Sequence, residues 1–507
     1  MNKKILTLLV SLVLFGSSCS KFLSVNEVNP NSASAVPPKL LLPAALTNIV
    51  KLMDNPSNFD FVYLWHGIWS ISQGYSQPAN LMQYRLFNTS YQGNFGTLYT
   101  IGQNFVEMEK ASTDPKDGAF LGIAKTMKAY IMQELVDMYG NVPYTDAWKT
   151  ADGVLKPKYD DQKAIYEDCV LQLDAAIKLF QGLPADATAI DGASDVMFGG
   201  SIDKWTRFAN TLKLRMLVHQ SGMAGRDTYI KAALATTSSV GYLGAGEGAN
   251  VNPGWLKSDT KMTPFYERFY KADDSGQSDG TAYYYAGKDA VDFLNLTSDL
   301  RIGRYFLPYS GSSFSGNYLG QDPTNHPAAV PGQTSKLGYL KDVAGSGYGY
   351  LIGVYNKPAP LLTDFESLFV QAEAVERGYI TGSGKALYNA AVEQSYVWMG
   401  LTTAQADNYT SQATFNTNYD SAPNKITLIL TQKWVALNGV APLEIWTDYR
   451  RSGIPAGLHF TEEANKANDT PPVRLLYPQT EISYNNDNVV AVGTIDAFKS
   501  KIFWQNR

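Results

Sequence analysis

The chain has 507 residues, 45% hydrophobic and 18% charged, which is the composition of a folded globular protein and not of a disordered one. Its 42 basic and 47 acidic side chains leave a net charge of −5, so no basic field for a phosphate backbone is on offer and nucleic acid is not expected as a partner. Aromatic residues are plentiful, with 32 Tyr, 22 Phe and 9 Trp, and those side chains must either build a large core or serve a binding surface.

Residues 1–18 read as an address. Lys3 and Lys4 precede a short apolar run over 5–15, and Gly16-Ser17-Ser18 supplies a small-residue cleavage region. The run is too short to span a bilayer. Cys19 follows at once, which resembles a bacterial lipoprotein box whose thiol is acylated; Gly16 stands where that pattern favours Leu or Val. The expected organisation is a lipoprotein signal peptide over 1–18, an acylated tether over 19–36 and a single domain over 37–507. Cys169 is then the remaining thiol. It lies in the helical stripe Ile165, Cys169, Leu173, Ala176, Phe180, which predicts a buried, inert cysteine.

Pro37-Pro38 fits the first turn of a helix running past Leu52. The next stretch, 61–99, is crowded with Trp65, His66, Trp69, Tyr75, Tyr84, Phe87, Tyr91, Phe95 and Tyr99 and carries little charge; its 72–80 portion, with Gly74 and Pro78, reads as a loop. Phe120, Ala124, Met127, Ile131, Leu135 and Met138 then define a long helix that Gly140 and Pro143 stop. The joint from Asp137 to Trp148 is expected to be scaffold. Further helices are predicted over 165–180 and from Asp203 to His219, and the stretch 240–360 reads as a loop-rich lobe with short strands. Helices return over 364–377 and 385–399, joined by a Gly-rich turn, then over 425–438, followed by Pro442 and an aromatic-basic segment to Arg451. The first pair, with Ala372, Ala374, Ala390 and Ala391, has the form of a tetratricopeptide-like hairpin. The scaffold is thus expected over about 37–238 and 361–452, and the lobe over about 240–360 and 453–507. The fold class predicted is mainly α, with helical hairpins forming an α–α superhelix under a lobe of few short strands.

Several segments, in order, resemble the SusD/RagB family of outer-membrane nutrient-binding lipoproteins of Bacteroidetes. They are Cys19, Asn29-Pro30-Asn31, Leu41-Leu42-Pro43-Ala44-Ala45-Leu46, Asp137-Met138-Tyr139-Gly140-Asn141-Val142-Pro143-Tyr144, Asp203-Lys204-Trp205 with 208–215, 366–374, Trp446-Thr447-Asp448-Tyr449-Arg450-Arg451, and Pro472-Val473-Arg474-Leu475-Leu476-Tyr477-Pro478. The resemblance implies four tetratricopeptide-like hairpins, a lid-like seat on a SusC-type TonB-dependent transporter, and capture of glycans, or in some relatives peptides, at the cell surface. It also implies an outer-membrane, lipid-anchored protein facing outward. Acidic residues that accompany surface export in this phylum are missing just after Cys19; Glu27 is the first.

Enzyme signatures are absent. His66, His219, His326 and His459 have no metal spacing, there is no nucleophile elbow, and Gly382-Ser383-Gly384-Lys385 lacks the phosphate-loop pattern and reads as a helix–helix turn. Asp273-Asp274-Ser275-Gly276 to Asp279 could hold calcium but reads better as an acidic surface turn. No cofactor, metal or catalytic residue is assigned. Glycan capture needs apolar faces for sugar C–H surfaces and amides for hydroxyls. Trp69, Tyr75, Gln77, Asn80 and Tyr84 supply this mixture early in the chain, and Trp255, Tyr283, Tyr284 and Tyr285, with Tyr309, supply it in the lobe. The family builds its site from just such an early loop and later lobe. Trp65, Trp205, Trp398, Trp434 and Trp446 lie on predicted helices and are expected in the core.

Overall fold

Apolar periodicity shapes the scaffold. The computed structural model describes residues 36–72, 79–276, 278–317, 330–338, 351–463 and 465–505, so the leader, most of the tether and Cys19 lie outside the described residues. In the first half the main helices are α1 (Pro38–Met53), α2 (Asp60–Trp65), α3 (Gly93–Ala111), α4 (Gly118–Tyr139), α5 (Gln162–Gln181) and α6 (Ile202–His219). In the second half they are α7 (Asp364–Glu376), α8 (Gly384–Trp398), α9 (Thr403–Thr410), α10 (Lys425–Ala436) and α11 (Pro442–Ser452). Packing runs α1 to α3, α3 to α4, α4 to α5, α5 to α6, α6 to α7 and α7 to α8, so each helix covers the apolar face of the last. The predicted mainly α, hairpin-built architecture is what is observed.

Capping side chains set where these helices begin. Asp161, Ser201, Thr363, Ser383 and Asn424 each accept an N–H from the first turn of α5, α6, α7, α8 and α10. Ser383 is the second residue of the Gly-Ser-Gly-Lys stretch, which is therefore a helix start. Trp65, Trp205 and Trp446 are fully buried and Trp434 nearly so. Trp398 departs from expectation: as the last residue of α8 it has run off the end of the apolar stripe, and it is half-buried beneath the Lys357 ammonium, 4.4 Å from its ring.

The strands are short: β1 (Trp69–Ile71), β2 (Val142–Pro143), β3 (Tyr159–Asp160), β4 (Ala249–Val251), β5 (Tyr284–Ala286), β6 (Phe306–Leu307), β7 (Lys336–Leu337) and β8 (Ala359–Leu362). β4 pairs antiparallel with β8 immediately before α7, which closes the long excursion between them at its base. Within it, β5, β7 and β6 continue a sheet whose first strand is β1, in the order β1-β5-β7-β6.

The far-apart sequence segments that mark the chain meet at one place, the C-terminus of α4. The last carbonyls of a helix lack partners inside it. Here Arg450 donates to Asp137 O (2.6 Å), the Leu475 N–H to Met138 O (2.8 Å) and Arg474 to Tyr139 O, while the Tyr477 hydroxyl donates to Asn141 O (2.6 Å). The Asp137 carboxylate accepts from the Tyr166 hydroxyl and, at 2.9 Å, from the Trp504 indole. Segments 137–144, 446–451, 472–478 and the C-terminal end are one structural unit, and its role is to seat the chain's last part on the scaffold.

A buried ionic layer lies beside it. Arg215 bridges Glu134 (3.1 Å) and Glu366 (2.9 Å); Lys433 bridges Glu444 and Asp448; Arg451 grips Glu373 through both oxygens at 2.7 and 2.6 Å. Each of these three cations is met by carboxylates, as its desolvation demands.

Candidate functional site

The early aromatic segment and the lobe are joined by β1 and β5, with Trp69 opposite Ala286, Ser70 opposite Tyr285 and Ile71 opposite Tyr284. This brings Trp69 and Tyr284 together, ring centroids 5.2 Å apart. Both are buried by the protein itself. The Trp69 indole stacks on Tyr63 at 4.1 Å and donates to Asn438 Oδ1 at 3.0 Å; the Tyr284 hydroxyl donates to Asp60 Oδ2 at 2.7 Å, and Tyr91 to Oδ1 at 2.8 Å. Burial raises the Asp60 carboxyl above the usual range, against the lowering effect of those hydroxyls.

Tyr84 is buried as well, against Trp65 at 5.7 Å, with the Thr461 N–H donated to its hydroxyl at 3.0 Å. Trp255 is buried without a ring contact or hydrogen bond to Tyr283 or Tyr284, and its indole N–H has no acceptor. Trp69, Tyr84, Trp255 and Tyr284 therefore present no open ring face. Their bulk went into the core, where such side chains gain most from burial. The surface-facing candidates are Tyr283, half-buried and edge-on to Tyr284 at 4.8 Å, and Asn80, exposed on the short helix Ala79–Met82. Tyr309 is 39% exposed on a lobe turn closed by its N–H to Ser313 O. Tyr75 and Gln77 lie outside the described residues, as does His326.

The Asp273 turn is internally bonded: Asp273 accepts from Ser275 N–H at 2.8 Å, and Asp274 pairs with Lys257 at 2.6 Å and accepts from Tyr266 at 2.9 Å. Among the described residues no cluster of His, Cys, Asp and Glu has the form of a metal site.

A second concave surface lies on the scaffold. A cleft of about 530 Å³ opens between α3, α4, α5 and the loop that follows β2, with Glu109, Lys125, Lys128, Tyr144, Trp148 and Lys149 among its walls. Trp148 has φ +58°, a left-handed conformation rare for a bulky residue. Its indole donates to Tyr99 O at 2.7 Å and lies against Gly102 of α3, where a Cβ would come within 2.3 Å of the ring. Lys125 and Lys128 both bond the one Glu109 carboxylate, at 3.2 and 2.5 Å, and the Lys128 ammonium sits 5.8 Å from the Trp148 ring. Cys169 also lines the cleft, and burial pushes its thiol up, which disfavours the reactive thiolate. The joint is thus scaffold from Asp137 to Pro143 but a cleft wall at Tyr144 and Trp148. The hint in the sequence was Gly102, a glycine inside a helix, which usually has a packing reason.

Fold and surface together define a helical-hairpin scaffold carrying a loop-rich lobe that is tied to an early aromatic strand. The family described as "Starch-binding associating with outer membrane", SusD-like, matches residues 30–478. The chain belongs to this SusD-like family of nutrient-binding, outer-membrane-associated proteins. Solved structures agree in fold. A SusD homolog from Bacteroides fragilis is 22% identical and superposes with a TM-score of 0.74, covering 93% of this chain and 100% of that one. A SusD-like protein from Bacteroides thetaiotaomicron is 22% identical with a TM-score of 0.71, covering 93% and 99%. A chitin-binding SusD homolog from Flavobacterium johnsoniae is 20% identical with a TM-score of 0.73, covering 92% and 98%. No curated protein sequence matches.

Proposed function

We propose that the protein captures oligo- or polysaccharide at the cell surface and passes it to a SusC-type TonB-dependent transporter, without cleaving it. The observation that carries this reading is membership, over residues 30–478, in a family described as starch-binding and outer-membrane-associated. The geometry supports it: β1 and β5 lock the early segment to the lobe, with Tyr283 directly before β5, while Asn80 and Tyr309 are exposed on the helix Ala79–Met82 and on a lobe turn. In this reading Cys19 carries the acyl anchor, residues 19–36 are the tether, and residues 37–507 form the binding domain facing outward. Among the described residues no helix is long and apolar enough to cross a membrane.

Titration of the chain from Ser20 onward with polysaccharides and peptide mixtures, followed by Trp fluorescence, tests the ligand class. Saturable glycan binding is expected; binding of peptides alone would move the protein to the peptide-capturing role, and sugar release would make it an enzyme. Co-purification from the outer membrane is expected to bring down a large β-barrel. Isolation of the intact lipoprotein alone, under conditions that preserve such complexes, would contradict the transporter partnership.

A further inference from the structure

The cleft on the scaffold is far from neutral. Lys110, Lys125 and Lys128 line it against two carboxylates, Glu109 and Asp152; Lys125 and Lys128 share Glu109, and Lys110 pairs with Glu107 outside the walls, so lysines outnumber carboxylates in the lining. Lys149 adds another at the rim, exposed and without an ion-pair partner among the described residues. This stands in a chain whose net charge is −5. Ammonium groups gathered in a concave wall focus field toward anions.

Beside them stands the Trp148 indole, half-buried, tied by its N–H and seated in the notch that Gly102 leaves. A left-handed backbone under so large a side chain persists only where the surroundings hold it, and such residues gather at binding sites. A rigid aromatic surface costs little conformational entropy on binding. The volume, about 530 Å³, suits a ligand of two or three sugar rings.

We propose that this cleft binds an acidic saccharide, with a sugar ring against the Trp148 indole and its carboxylate met by Lys128 and Lys149. The choice of a saccharide over another flat anion rests on the glycan-binding reading above; the preference for an anion rests on the lysines alone. The site is separate from the lobe surface near Tyr283 and is built wholly from α3, α4, α5 and the loop after β2.

The test is calorimetric titration of the chain from Ser20 onward with trigalacturonic acid and, in parallel, with neutral galactotriose and neutral polysaccharides, at low and at physiological salt. The acidic trisaccharide is expected to bind and the neutral trisaccharide to bind more weakly in this cleft, with acid affinity falling about five-fold as salt rises. Lys128→Met, which keeps the apolar stem, is expected to weaken acid binding about ten-fold, the equivalent of one ion pair in a partly enclosed site. Lys149→Glu changes a solvent-exposed side chain with no ion-pair partner among the described residues, and is expected to act in the same direction. Undiminished binding in both variants would overturn the assignment. So would binding of neutral polysaccharides with no response to trigalacturonic acid, an outcome that leaves the proposed function standing. Silence toward every saccharide would remove both.

Discussion

Gly140 shows how one residue settles a family signature. Its φ of +75° and ψ of −120° lie where an L side chain is strained, and a Cβ there would come within 3.0 Å of the Arg474 guanidinium. Gly140→Ala is expected to cost about 1–3 kcal/mol in chemical denaturation. Arg450 is a sharper case, because its guanidinium is buried and donates to Asp137 O, Val473 O and Thr447 Oγ1. Arg450→Met would leave those acceptors without a donor, and a loss of about 2–5 kcal/mol is expected by the same measurement. On the cleft side, Gly102→Ala must expel the indole of Trp148. It is expected to shift Trp emission and weaken any ligand that uses that ring, while the melting transition remains cooperative. An unchanged spectrum would show that the notch does not hold the ring.

At the scale of elements, the long helices were legible and the short strands were not. Phe120 to Met138 repeat at helical spacing and Gly140 stops them, so α4 could be read from sequence alone; Cys169 was likewise placed correctly in its buried stripe. β1 and β5 are three residues each, and a strand that short has no period to detect. Their pairing also joins positions more than 200 residues apart, which no local pattern encodes. For the same reason the sequence could not tell an aromatic that lines a surface from one that fills the core. Trp69 and Tyr284 fit the composition of a glycan site; in the fold they are buried against each other, and Trp69 also stacks on Tyr63. The capping residues, by contrast, act locally. Thr363 is buried at the start of α7, its hydroxyl accepting the Glu366 N–H. Thr363→Ala is expected to cost about 1 kcal/mol, and Thr363→Ser to restore most of it; equal stability of the two would show the cap to be idle.

Across the whole molecule, buried charge ties together helices from both halves of the chain. His219 of α6 lies 3.1 Å from Glu444 of α11 and 3.6 Å from Asp137 of α4. Burial alone would lower its pKa, but Glu444 and then Asp137 outweigh that and raise it to about 9. The folded state therefore holds this proton more tightly than the unfolded chain. The resulting stability is full below the ordinary histidine value near 6.5 and is lost as pH rises through about 9, with a size on the order of 3 kcal/mol. Glu373 behaves in the opposite sense. Burial opposes its ionisation, yet Arg451 holds it down at about 2, so its contribution is present above the ordinary value of 4.5 and lost as pH falls through about 2. Denaturation midpoints are expected to fall between pH 6.5 and 9, and His219→Gln to flatten that limb while lowering stability at pH 6. A limb of the same slope in the variant would assign the effect elsewhere.

The proposed function has this firmly tied scaffold hold a saccharide without cleaving it, in keeping with a family described as starch-binding. Incubation of the chain from Ser20 onward with a panel of neutral and acidic polysaccharides, with bound glycan and newly formed reducing ends quantified in the same samples, tests this most directly. Saturable binding of at least one polysaccharide with no gain in reducing ends is the expected result. New reducing ends in proportion to protein, or no binding across the panel, would contradict it.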